Sequence, residues 1–315
     1  MTSKSITLRA FKIKTSSDLF SKSKKPGEAL FEKLRSSKTA DERRLTLNDR
    51  SKTKEQDLIA NFVPGSAIKS GVHCMMIRLA IGNFGKPVSE KLLKQESFNL
   101  KDLGLSEEDG DGNKVQYQSH FYFFLNNEYL VTNLPANRTV AGLQAYLNWY
   151  LNSLYELTPL IDVNLISKLS DVSYVEFQDG RVYKDSIGED NKKSVLMIAG
   201  EYLKGILKDA QTVQDAILTQ HISATLKIKI KKPKASETDE VQKTFGALVK
   251  PIADLDNVVI YTKGKGKIAK GDEILLKKVV QVEQLQGELL NEPELRQAME
   301  LFVQEISPCE STTNV

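Results

Sequence analysis

Cysteine is nearly absent: Cys74 sits inside an apolar run and Cys309 in a polar tail, and the 315 residues hold no others. Two thiols cannot build a disulfide framework, so the fold has to rest on a core, and the pattern suits a reducing compartment. Long apolar runs are missing as well. FYFFL at 121–125 and VLMIA at 195–199 fall far short of the roughly 18 to 20 residues that span a bilayer. The opening MTSKSITLRAFKIK mixes charge into its apolar residues and offers no continuous core for a secretory signal. A cytoplasmic location is expected. Histidine is scarce, with His73, His120 and His221 alone, and no CxxC or HExxH spacing accompanies them. His73 and Cys74 are adjacent, so in a strand they point to opposite faces and cannot share one metal. No Gly-x-Ser-x-Gly elbow and no Walker ending of Gly-Lys-Ser/Thr occurs. The expectation is a protein without metal, cofactor or catalytic residues.

What is present is ordinary for a globular chain: 40% hydrophobic and 27% charged residues, with a net charge of +3. The length allows one large domain or two modest ones, and the expected division is 1–160 and 161–315. ITLRAFKIK at 6–14 alternates as a strand, Ile6 and Leu8 on one face and then Phe11 and Ile13 after a slip that reads as a bulge. Residues 27–38 read as a helix, 43–57 as a polar stretch around an edge strand, and 73–82 as a strand with Ile77, Leu79 and Ile81 on one side. The clearest unit is HFYFFLNNEYLVTNLPANRTVAGLQAYLNWYLNSL at 120–154. Asn126-Asn127 suits a two-residue hairpin turn with positive φ. Val140, Leu143, Leu147, Tyr150, Leu151 and Leu154 then recur at helical spacing. Tyr146 and Trp149 flank that stripe, and packing is favoured for them over base stacking. A second hairpin turns at Asp179-Gly180, helices are expected over 195–220 and 240–248, and strands over 222–231 and 257–262. Near the C-terminus Asn291 and Glu294 form a capping box before a helical stripe of Leu295, Met299, Phe302 and Ile306. Hairpins and helices mix without regular βαβ alternation, which gives an α+β class with antiparallel or mixed sheets, flanking helices and two lobes.

Candidate chemistry is thin. DGDGN at 109–113 opens like a calcium loop, but Lys114 and His120 stand where glycine and glutamate are required. GKGKIA at 264–269 matches a loose dinucleotide pattern, so a nucleotide-dependent enzyme using Gly264 and Gly266 is the alternative function. The strongest feature is LKIKIKKPK at 226–234. Leu226, Ile228 and Ile230 take one face of a strand, leaving Lys227, Lys229 and Lys231 on the other, with Lys232 and Lys234 extending the cluster. A second comb of Lys263, Lys265, Lys267 and Lys270 follows the strand at 257–262. Arg9, Lys12 and Lys14 add a basic strand near the N-terminus. Lysines can guard a bare edge strand. They can also displace counterions from phosphates without reading bases, giving salt-sensitive, sequence-independent DNA binding. Docking to an acidic protein or an anionic membrane is a further alternative.

Residues 120–151 resemble the strand-turn-strand-helix unit of the RexA-type phage exclusion proteins and, more distantly, of the RdgC recombination-associated proteins. ATLKIKIKKPK, followed by a helix and DNVVIYTKGKGK, is similar to the RexA segment in which a basic strand leads through a helix to an apolar strand with a basic tail. The resemblance implies a homodimeric, sequence-tolerant binder of double-stranded DNA in phage exclusion. It also implies a membrane-bound partner of RexB type that could recruit the chain to the inner face of the membrane.

Overall fold

The computed structural model describes residues 2–15, 25–46, 55–81, 86–103, 115–135, 140–162, 172–178, 225–229, 258–262, 266–270, 275–285 and 289–307. In chain order the elements are β1 (Thr2–Thr15), α1 (Pro26–Ser36), β2 (Leu45–Thr46), β3 (Glu55–Pro64), β4 (Val72–Ile81), β5 (Lys86–Pro87), α2 (Glu90–Leu93), β6 (Val115–Leu125), β7 (Tyr129–Thr132), α3 (Val140–Leu151) and β8 (Tyr155–Pro159). Strands β9 (Val172–Gln178), β10 (Thr225–Lys229), β11 (Val258–Thr262) and β12 (Gly266–Lys270) follow, and the chain ends with β13 (Lys277–Gln284) and α4 (Glu292–Ile306). The class is α+β and mostly antiparallel sheet. Among the described residues no helix is long and apolar enough to cross a membrane.

Two compact units form, Met1–Leu157 with Lys277–Val315, and Thr158–Leu276. The expected break at 160 therefore needs correction at its far side, because residues 277–315 belong with the N-terminal unit. The reason is strand pairing: β13 runs antiparallel to β1 from Thr2↔Gln284 to Arg9↔Lys277. The first unit carries a nine-stranded sheet in the order β13-β1-β7-β6-β4-β3-β2, with β5 on β6 and β8 on β1.

Helices cover both faces of that sheet, and alternation assigns each residue to one of them. On one face Phe11, Cys74, Met76, Phe121, Phe123 and Leu130 pack with Leu30 and Leu34 of α1 and with Leu143, Tyr146, Leu147 and Tyr150 of α3. On the other, α4 lies across β13, β7 and β6. This explains the change of buried face along β1. Ile6, Leu8 and Ala10 are buried, and so are Phe11 and Ile13, yet the ladders to β13 and β7 run through Arg9 without a shift. No bulge is needed, because the covering helices change sides. β4 is buried on both faces for the same reason, rather than on the single side expected. Arg78 fixes its register by gripping Asp57 on β3 through two hydrogen bonds of 2.9 Å.

Local sequence decides the joints. The β6–β7 turn does not use positive φ; among the described residues Asn152 is the only non-glycine with φ in that range. Instead the buried Asn126 side chain accepts from the Glu128 and Tyr129 amides at 2.9 and 2.6 Å, an Asx turn that closes the hairpin one residue later. Asn152, at φ 48°, ends α3, so Leu154 falls past the helix and is 51% exposed. Tyr146 is core: its hydroxyl donates to the Arg43 carbonyl at 2.6 Å and accepts from the Ile59 amide at 3.1 Å. The capping box on α4 is half made. Asn291 caps the Glu294 amide, while the Glu294 carboxylate accepts from the Glu283 amide at 2.7 Å instead.

Glu300 locks α4 down. It is 2% exposed and accepts from the Ser66, Ala67 and Ile68 amides at 2.8, 2.6 and 2.9 Å, from the Ser66 hydroxyl at 3.0 Å and from His73 Nε2 at 2.7 Å. The turn that supplies those amides ends at Gly71, where a Cβ would lie 2.1 Å from the Phe124 ring. Burial by itself would raise the Glu300 carboxyl, but the bonds from His73 and the three amides outweigh it and hold it at about 2. Burial pushes His73 below its ordinary value against the pull of Glu300. The pair is thus a carboxylate and a neutral imidazole that donates Nε2–H. His120 is also held low, at about 4, by burial and by the charge of Lys4.

Two outcomes are expected. Glu300→Ala leaves four N–H donors and a hydroxyl without their acceptor and should cost on the order of 2–3 kcal/mol in urea denaturation followed at Trp149. A loss under about 1 kcal/mol would contradict the clamp. All three depressed groups bind protons more readily when unfolded, so stability must fall with pH. The histidines act first, below their unfolded 6.5, and Glu300 follows between 4.5 and about 2. A denaturation midpoint that stays level from pH 7 to pH 3 would be inconsistent with this.

Candidate nucleic-acid interface

The second unit carries a four-stranded antiparallel sheet in the order β10-β9-β11-β12. β10 alternates in sequence and so does β9 from Tyr174 to Gln178, while the ladders of β11 with β12 and with β9 each carry one register shift. On one face stand Val175 and Phe177 of β9, Leu226 and Ile228 of β10, Val258 and Ile260 of β11, and Ala269 of β12. Every one of these residues is apolar.

The opposite face is organised in rows and mixes lysine, tyrosine and glutamate positions with Val259. Lys229 pairs with Tyr174, Tyr174 with Tyr261, and Tyr261 with Lys267. In the next row Lys227 pairs with Glu176, Glu176 with Val259, and Val259 with Lys270. A break in the ladder between Ile260 and Tyr261 lets Lys267 and Lys270, three apart in sequence, hold positions on the same face. Both outer strands therefore bring two lysine positions to this face. Glu176 is the one acid among these positions. Between the lysine positions the Tyr174 and Tyr261 rings stack with centroids 4.4 Å apart and 17° between planes, and both residues are half-buried.

The expected basic residues are thus sorted. Lys227, Lys229, Lys267 and Lys270 share one face of one sheet. Lys231, Lys232, Lys234, Lys263 and Lys265 lie outside the described residues, as do Cys309, His221, residues 109–113, the Asp179-Gly180 turn and the helices expected over 195–220 and 240–248. Arg9, Lys12 and Lys14 lie on β1 in the first unit; Lys12 and Lys14 are exposed, and Arg9 donates from Nη1 to the Leu134 carbonyl at 3.1 Å. Arg9 is a tie within its own sheet. Sequence reading missed the tyrosine pair, because nothing in the spacing of 174 and 261 announces that β9 and β11 are neighbours.

Of the two glycines in the nucleotide alternative, Gly264 lies outside the described residues and Gly266 within them. A dinucleotide loop needs a helix N-terminus after its glycines, so that amides and dipole meet the pyrophosphate. Here Gly266 opens β12, which runs back antiparallel along β11. Among the described residues no group of three or more His, Cys, Asp or Glu could hold a metal ion.

The stacked rings predict an energetic coupling. A double-mutant cycle of Tyr174→Ala and Tyr261→Ala should return about 0.5–1.5 kcal/mol, typical of an aromatic pair. Additive effects would contradict the register of β9 against β11. No protein-family model and no curated protein matches the chain.

Proposed function

We propose that this chain is a sequence-nonspecific double-stranded DNA-binding protein of the phage-exclusion type, acting as a homodimer with a membrane-bound partner. One observation carries the DNA reading: lysine positions on both outer strands of the four-stranded sheet share the face opposite its apolar side. A chain of net charge +3 is not basic enough to attract a polyanion by its total. Clustering supplies what the total lacks, because several lysines within one sheet release condensed counterions together.

The tolerance of sequence follows from the residue types. An ammonium group is a point charge that pairs with phosphate oxygens, whereas base reading favours the planar fork of arginine or the paired groups of asparagine and glutamine. Neither arginine nor asparagine stands at a described position of this face, and its one glutamine, Gln178, lies at the end of β9 opposite Thr225. The exclusion role, the homodimer and the membrane partner are supported by the resemblance of residues 120–151 and of the two basic runs.

The test is binding of a random-sequence duplex across a salt series, with anionic vesicles in parallel. Lys227→Glu with Lys229→Glu should weaken DNA binding at every salt concentration. The slope of log affinity against log salt should flatten by about 0.9 for each phosphate no longer neutralised. Unchanged affinity would place the DNA elsewhere on the protein. Capture by vesicles without any shift of DNA would overturn the DNA reading in favour of a membrane surface.

A further inference from the structure

The tyrosine-bearing face of the second sheet is flanked by lysine positions and ridged along its middle, and the ridge constrains what it can dock against. Two tyrosine rings lying flat on a sheet would sit side by side. Centroids 4.4 Å apart with 17° between planes mean overlapping ring faces, at nearly the spacing of neighbouring strands. The ring faces are therefore turned toward each other, and the pair stands on edge. That arrangement is a poor platform for a flat, unpaired base, which needs an open ring face.

A standing pair is instead a wedge of definite width. Adding about half a carbon contact on each outer side to the centroid spacing makes it ~8 Å thick. The minor groove of B-form DNA is about 6 Å wide and the major groove about 12 Å, wide enough for a two-stranded ribbon. The central strands β9 and β11 are such a ribbon, with the tyrosines directly opposite each other. Strands β10 and β12 lie three spacings apart, ~14 Å, which is just wider than the groove. Lys229 and Lys267 hold the ends of the tyrosine row, and Lys227 and Lys270 the ends of the next.

We infer that this sheet straddles the major groove of duplex DNA, the Tyr174–Tyr261 ridge entering the groove and the lysines of β10 and β12 meeting phosphates on its opposite rims. The inference rests on the DNA reading above and adds the groove, the duplex form and a division of labour. The tyrosines would set the seat, and the two lysine columns would each answer to a different strand.

Dimethyl sulfate distinguishes the grooves on the full-length protein, since guanine N7 lies in the major groove and adenine N3 in the minor. A saturated random duplex should be protected at guanine N7 and left open at adenine N3, and a single strand of equal length should bind more weakly. Lys229→Glu and Lys267→Glu should each lower the salt slope by about 0.9, and their effects should add. Tyr174→Ala with Tyr261→Ala, at an unchanged thermal midpoint, should abolish N7 protection while salt-dependent binding persists. Protection of adenine N3 alone, or equal affinity for the single strand, would overturn the groove assignment and leave the phosphate surface standing. No binding to any DNA would overturn both.

Discussion

A buried carboxylate holds the end of this chain to its beginning. Glu300 gathers three backbone amides, a hydroxyl and the His73 imidazole around one side chain that is 2% exposed. It is the acceptor shared by the amides of a partly exposed turn and by the buried His73. With α4 fixed, β13 can complete its ladder on β1. Since β8 pairs with β1 as well, the strands on either side of the second unit belong to the first sheet. The second unit is an insertion between β8 and β13. Its own ends meet at the Ile161↔Leu275 bridge, extended by the Leu276 amide donating to the Leu160 carbonyl at 2.8 Å.

Elements with a strong local period were legible in the sequence. α3 and α4 announce themselves by helical spacing, β10 by its alternation, and the 120–132 hairpin and β11 by short apolar runs. Features that depend on the detail of a turn or on distant partners were not. Asn126-Asn127 marked a turn, but whether its backbone would go left-handed or its side chain would cap the next amides was decided by local geometry. The two buried faces of β1 looked like a bulge because sequence does not say that its covering helices lie on opposite sides. β3 went unnoticed behind a polar stretch, since a strand at 55–64 with burial on both faces has no simple alternation. Glu300 sits among the apolar positions of α4 as an ordinary acid, and only the turn at 66–68 shows what it does.

The lysines show the same division. Alternation in LKIKIKKPK separates an apolar face from a basic one without any structure. It does not reveal that β9 lies between β10 and β11, or that the break in the β11–β12 ladder aligns Lys267 and Lys270 with Lys229 and Lys227. That strand order turns two separate combs into matched columns with a stacked tyrosine pair between them. It also puts Gly266 at the start of a strand rather than at a helix N-terminus.

The central claim is that DNA contacts the lysines of the second sheet and not those of β1. Acetylation of lysines with and without a random duplex, read residue by residue by mass spectrometry, tests it most directly. The account predicts that Lys227, Lys229, Lys267 and Lys270 are protected together while the exposed Lys12 and Lys14 stay reactive. Protection of Lys12 and Lys14, with the four sheet lysines as reactive as in the free protein, would contradict it.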